Sequence, residues 1–220
     1  MSFFQILLQL CEGLGYSVMI FLLTLVFSLP LGLLICFGRM TKIKPVSWLF
    51  RIYISIMRGT PLMLQLFVVY FCPYYLFRIP LRNMGDNWMF VSVIIGFALN
   101  YAAYFAEIYR SGIASMSEGQ YEAARVLGMN KRQTFFIIIL PQVIRRILPS
   151  LTNEVITLVK DTSLARVVSV VELVKAAQDI VGLKSIIWPL FYIAAFYLVF
   201  SGLLTILFNK LEKKLNYYQG

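Results

Sequence analysis

The residues able to do chemistry in this chain are few, and most lie inside apolar sequence. Glu154 is an ionisable group within a greasy stretch. Such a group costs at least ~2.5–3.5 kcal/mol to insert in a bilayer, so it faces a bundle interior or a cavity. Its carboxylate can accept hydrogen bonds from an ammonium, and Lys160 and Asn100 can donate to a carboxylate. Asp161, Thr162 and Ser163 follow directly and have the polarity to line an entrance. A purely architectural reading stands beside this one. Glu154 would pair with Lys160, Arg145 or Arg146, and Lys160-Asp161 would act as a capping group. Catalysis by histidine is excluded, because the chain has none. Cys11, Cys36 and Cys72 form no C-x-x-C pair, so they suggest neither zinc nor redox chemistry and read as packing residues.

A second polar group interrupts the apolar sequence at residues 117–128, SEGQYEAARVLG. Ser117 followed by Gln120 fits a capping box, and Gly128 suits the left-handed residue that ends a helix. The pattern predicts a helix over 118–127. Glu122 and Arg125 share one face of it, and Ala123 and Ala124 offer a small surface that another protein can approach closely. The plain alternative is a solvated connector.

The elements that hold these residues belong in a membrane. The chain has 220 residues, is 60% hydrophobic and has a mean hydropathy of +0.79, where soluble domains are ~45–50% apolar. Stretches 14–37, 87–106 and 185–208 carry no charge, and each is long enough to cross a bilayer. A cleavable signal peptide fits poorly, because no Lys or Arg precedes Arg39 and the apolar run is too long. The expected spans are 14–38, a pair broken at Arg58-Gly59-Thr60-Pro61 (46–58 along the membrane face, then 60–77), 87–111, 134–160 and 186–210. Thr60 is expected to N-cap the helix begun by Pro61, and Arg58 to meet head groups or an acidic neighbour. Residues 161–184 read as one or two short amphipathic helices. Neither a linker nor a repeat is present, so a single domain over 1–220 is expected.

The net charge of +10 speaks for membrane topology rather than for nucleic acid. Basic residues favour cytoplasmic loops. Arg39, Lys42 and Lys44, six cations between Arg110 and Arg146, and Lys210, Lys213 and Lys214 put segments 39–45, 110–134 and the C-terminus inside. The 78–88 loop, with Arg78, Arg82 and Asp86, falls outside. Five spans then leave the N-terminus outside.

The string Glu122-Ala123-Ala124, three residues, Gly128, nine residues, Ile138, one residue, Leu140-Pro141 resembles the EAA motif of ABC importer permeases. RGTPLMLQLF at 58–67, NYAAYFAEIYRSGI at 100–113, GQYEAARVLGM at 119–129, ILPQVIRRILPSLTNE at 139–154 and LVKDTSL at 158–164 look like its polar amino-acid branch. The resemblance covers residues 14–210. It implies an all-α integral membrane protein of five transmembrane helices with a cytoplasmic coupling helix, similar to type I ABC importer permeases, in a bacterial cytoplasmic membrane. Glu122, Ala123, Ala124, Arg125 and Gly128 would dock in a groove of a separate ATPase. The implied partners are two ATPase subunits, a second permease copy or a homologous one, an extracytoplasmic solute-binding protein and a polar amino acid. The chain has no G-x-x-x-x-G-K-[ST] string. It is therefore not expected to be an enzyme or to hold a cofactor, with ATP and Mg belonging to the ATPase. The alternatives are a structural permease subunit without its own pocket and an ATP-independent secondary transporter. The latter would need an internal repeat or a complete pore, and neither is seen.

Overall fold

The computed structural model describes residues 3–80, 84–85 and 87–215. Arg82 and Asp86, counted above in the outer loop, lie outside them. The described residues form α1 (Phe3–Met40), α2 (Lys44–Gly59), α3 (Leu62–Phe77), α4 (Trp88–Ala114), α5 (Glu118–Val126), α6 (Lys131–Gln133), α7 (Leu140–Asp161), α8 (Leu173–Lys184) and α9 (Trp188–Leu215). A wide π-helical segment, Thr134–Ile139, joins α6 to α7, and a 3₁₀ turn, Thr162–Val168, extends α7. By length and composition four rods can cross a membrane: α1, α4, the run Lys131–Val168 and α9. Counting α2 and α3, which meet at 113°, as one broken span makes five.

α4 is the centre of the bundle. Phe97, Tyr101 and Phe105 are fully enclosed by Ile20 and Phe21 of α1, Leu66 of α3, and Val155 and Leu158 of α7. α1 and α4 run the same way, with Tyr16 beside Phe90 and Gly32 beside Phe105. α7 runs against α4, pairing Ile147 with Gly112 and Asp161 with Tyr101. α9 lies at the edge, with only Pro189 and Ile193 buried.

α1 starts eleven residues before the expected position 14. The sequence there contains Glu12, which broke the uncharged run, but Glu12 is exposed. Ile6 and Leu10 are buried with Leu173, Ala177 and Ile180 of α8 and Ile193 of α9. The extension therefore packs on protein. Glu172 opens α8, its carboxylate accepting the amides of Val174 and Lys175 at 2.8 Å each. Burial pushes this carboxyl above the ordinary carboxylate range. The π segment has a local cause. Pro141 has no N–H and its ring crowds the carbonyl four residues back, and the turn widens so that the Leu140 amide bonds Phe135. Cys36 packs between α1, α2 and α4 as expected, whereas Cys11 is exposed.

α2 does more than lie along a membrane face. Phe50, Tyr53, Ile54 and Met57 pack on Ile35 and Cys36 of α1 and on Ala102, Ala103 and Ala106 of α4. The Tyr53 hydroxyl donates to the Leu99 carbonyl at 2.6 Å. The α2–α3 break thus lies against α4 at the level of Asn100, with Met57 and Gln65 bonded to it and residues 58–61 exposed.

Candidate substrate and coupling sites

Asn100 is buried, and its amide donates to Met57 O at 3.1 Å and Gln65 Oε1 at 2.9 Å. Gln65 in turn donates to Met57 O, Thr60 O and Thr60 Oγ1. The Thr60 hydroxyl donates back to Ile56 O at 2.8 Å. This closes the end of α2 and corrects the expected N-cap: α3 begins after Pro61 without a side-chain cap. The network satisfies the backbone groups that a 113° bend leaves open in an apolar medium. Both Asn100 donors are spent inside the chain, so it meets a ligand carboxylate only by giving one up. Asn100→Leu is expected to leave Gln65 Oε1 without its donor, while Met57 O keeps the bond from Gln65, destabilising the fold by about 1–3 kcal/mol. A fall in the melting temperature of the purified chain measures this.

Glu154 is half-buried and takes part in neither of the ion pairs found among the described residues, Glu107–Arg110 and Lys175–Asp179. The charges acting on it are those of Arg58 and Asp161. Lys160 is exposed. Six residues along a helix turn through about 600°, which puts it on another face from Glu154. Asp161 accepts from the buried Tyr101 hydroxyl at 2.7 Å. Ser163 is half-buried, but Thr162 is buried and its hydroxyl returns to Val159 O at 2.7 Å. Thr162 therefore closes a helix end rather than lining an entrance.

Arg58 has the acidic neighbours expected of it and an aromatic partner that was not expected. Its guanidinium stands 5.2 Å from the centre of the Tyr104 ring, at a distance where a cation is held by the ring face. The side chain is exposed and its charge reaches both Glu154 and Glu107. Arg58 over Tyr104, the Tyr101 ring 6.2 Å from Tyr104, and Asp161 held by the Tyr101 hydroxyl link this cation to α7, the helix that carries Glu154. Tyr101 and Tyr104 were not singled out in the sequence, because an aromatic in a span carries no signal of what it touches. The RGTP break was the one clue to Arg58.

The second site is α5. Its end follows the glycine-terminated pattern: Gly128 has φ +73°, its amide bonds Arg125 O, and the Met129 amide bonds Ala124 O. The capping box expected from Ser117 and Gln120 is not formed. Ser117 is the N-cap without a side-chain bond, and Gln120 instead accepts from Gln142 at 3.3 Å. A capping box does occur one element later, between Asn130 and Gln133. Ala124 is fully buried, so it anchors α5 and does not face a partner. Tyr121 packs with Ile139 and Val143 at the start of α7. Glu122, Ala123 and Arg125 are exposed, as are Val126 (87%) and Leu127 (76%), which the sequence reading passed over.

Known proteins share this architecture. The chain is 39% identical to the L-cystine transport system permease protein TcyB of Bacillus subtilis (strain 168), over 95% of this chain and 87% of that one. It is 34% identical to a putative glutamine transport system permease protein GlnP of Rickettsia bellii (strain RML369-C), over 95% and 94%. A crystal structure of an amino acid ABC transporter with histidines contains a chain that superposes with a TM-score of 0.83 at 31% identity, covering 97% of this chain and 99% of that one. An inward-facing MetNI methionine ABC transporter shares the fold, with a TM-score of 0.69 at 17% identity over 98% and 99%. Residues 28–217 match the binding-protein-dependent transport system inner membrane components, and the chain belongs to that family, as a membrane-spanning permease subunit of an ABC importer.

Proposed function

We propose that this permease moves a polar amino acid inward by alternating access, driven by ATP hydrolysis in a separate subunit. The observation that carries this reading is the connection between the two sites. α5 is seated on the start of α7 through Tyr121 and Gln142, and α7 carries Glu154 and Asp161 at its far end. A displacement of α5 is thus delivered to the helix that bears the carboxylates, as a rigid-body rearrangement.

In this reading Glu122, Ala123, Arg125, Val126 and Leu127 meet the ATPase, Ala124 and Gly128 shape the helix, and α5 and the C-terminus lie in the cytoplasm with the N-terminus outside. Glu154 and Asp161 receive the substrate ammonium, and Arg58 receives its carboxylate. Lys160 and Ser163 stand near the outer entrance, and Asn100 and Thr162 support the site from behind. Two ATPase subunits, a second permease copy or a homologue, and an extracytoplasmic solute-binding protein complete the assembly in the bacterial inner membrane. ATP and Mg belong to the ATPase; this chain, one domain over 1–220, holds no cofactor and catalyses no reaction. Relatives named for cystine and glutamine support the substrate class.

A structural subunit without its own pocket is the second reading, favoured by the internal commitment of Asn100 and Thr162. Proteoliposomes holding the complete transporter separate the two. Uptake of labelled amino acids is expected to require internal ATP, and Glu154→Gln to lower it about tenfold, the lower end for a charged hydrogen bond. Full uptake by Glu154→Gln moves selectivity to another subunit. Uptake without ATP overturns the importer reading.

A further inference from the structure

The turn between α1 and α2 holds a basic recess that the transport reading does not use. Thr41, Lys42, Lys44, Ser47, Trp48 and Arg51 line a cavity of about 490 Å³. Between Glu12 and Asp86 the chain has no acidic residue at all, so no neighbour in sequence neutralises these cations. Among the described residues none of the three takes part in an ion pair. The recess is also built, not a loose collection of side chains. The Ser47 hydroxyl donates to Arg39 O at 2.7 Å and the Ile43 amide to Thr41 Oγ1 at 3.5 Å, which fixes the turn.

The recess opens on the amino end of α2. Ile43 stands at the N-cap and has no side-chain acceptor to offer, so the first amides of this 16-residue helix receive no cap from the chain. Pro45 in the first turn has no N–H, so an anion placed there meets the amides of Lys44 and Val46 and the positive helix end together. Trp48 is 64% exposed beside the cations, a pairing of indole and basic side chains suited to head-group depth. The turn follows directly on the end of the spanning helix α1.

We propose that this recess binds the phosphate of an anionic phospholipid, with Lys42, Lys44 and Arg51 around the head group and Trp48 against its glycerol region. The bound lipid would tether the amino end of α2, and through α2 the Arg58 break. This rests on the chain's residence in a membrane and not on the substrate it carries.

Trp48 supplies the reporter. The full chain with Trp88→Phe and Trp188→Phe is reconstituted in phosphatidylcholine vesicles containing lipids brominated near the glycerol end of their acyl chains. Brominated phosphatidylglycerol is expected to quench Trp48 at a mole fraction roughly fivefold lower than brominated phosphatidylcholine, the factor that one cation supplies at an anionic surface. The preference should fall to about one in Lys42→Gln, Lys44→Gln, Arg51→Gln, and return when the two lysines are replaced by arginine with Arg51 kept. Equal quenching by both lipids overturns the proposal, as does a preference that survives the triple substitution. If millimolar inorganic phosphate relieves the quenching, the ligand is free phosphate and not lipid. Loss of the ATPase from the assembled transporter on the triple substitution, with no lipid preference in the parent chain, makes the recess a protein contact instead.

Discussion

The Val126→Asp, Leu127→Asp double substitution is expected to abolish ATP-driven uptake and to release the ATPase from the purified complex. Val126 and Leu127 are 87% and 76% exposed at the end of α5, in a segment that belongs to no span. Burying each against a partner contributes about 1.5–3 kcal/mol. Putting two carboxylates in the same place forces their desolvation as well. The combined loss of at least ~3 kcal/mol is a weakening of docking by more than about a hundredfold. The fold should not suffer, because neither side chain supports the core. Ala124 is the opposite case. It is fully buried, so enlarging it disturbs how α5 is seated on this chain before it disturbs the partner. Co-purification of the ATPase and uptake in proteoliposomes read the two effects separately. An intact, transporting complex carrying both aspartates would remove α5 from the coupling interface.

This contrast shows where sequence reasoning succeeds on the coupling helix and where it stops. The helix itself was legible: 118–127 expected, Glu118–Val126 observed, with Gly128 in the left-handed conformation that ends it. Those features are local, set by caps and backbone conformation. Which face of the helix looks outward is not local. It depends on how α5 packs on the π segment that leads into α7, and two adjacent alanines in a sequence do not differ. One is exposed and one is enclosed. The same division holds in the spans. The break at Pro61 was readable from RGTP, because proline and glycine act on the backbone directly. That Asn100 binds the break, and that Arg58 stands over Tyr104 near Glu154, are contacts across more than 40 residues of chain. Glu154 was found by its rarity, a carboxylate in apolar sequence. Its neighbours were not, since tyrosine is common in spans. The start of α1 was missed because Glu12 ended the uncharged run, although the helix continues past it on protein rather than lipid.

Gly32 carries the other large expected effect, as a packing residue of α1 that supplies no side chain to either site. A Cβ at this position would stand 2.9 Å from Phe105 Cβ, 3.0 Å from Ala102 O and 3.3 Å from Ala106 N. Two of these are backbone atoms of α4, the most enclosed helix, and cannot turn aside as a side-chain tip would. α1 and α4 approach closely here because small residues face each other, with Ala102, Ala103 and Ala106 all fully buried. Close approach of this kind supplies van der Waals contact between membrane helices, where no hydrophobic driving force separates protein from lipid. Gly32→Leu therefore has to push α1 away from α4, opening the cluster of Ile35, Cys36 and Ile54 that holds α2. The expected loss is about 3 kcal/mol, the upper end for overpacking a core, and a fall in melting temperature of roughly 6–12 °C. Gly202 is the control. It lies in α9, a Cβ there meets nothing within 4 Å, and Gly202→Leu should leave the melting temperature within about 2 °C. Both glycines sit in apolar helices and read alike in the sequence. If the two substitutions melt alike, the α1–α4 contact does not set the stability of the bundle. If only Gly32→Leu falls, and uptake falls with it, the packing of α1 on α4 also keeps α2, and with it Arg58, in reach of Glu154.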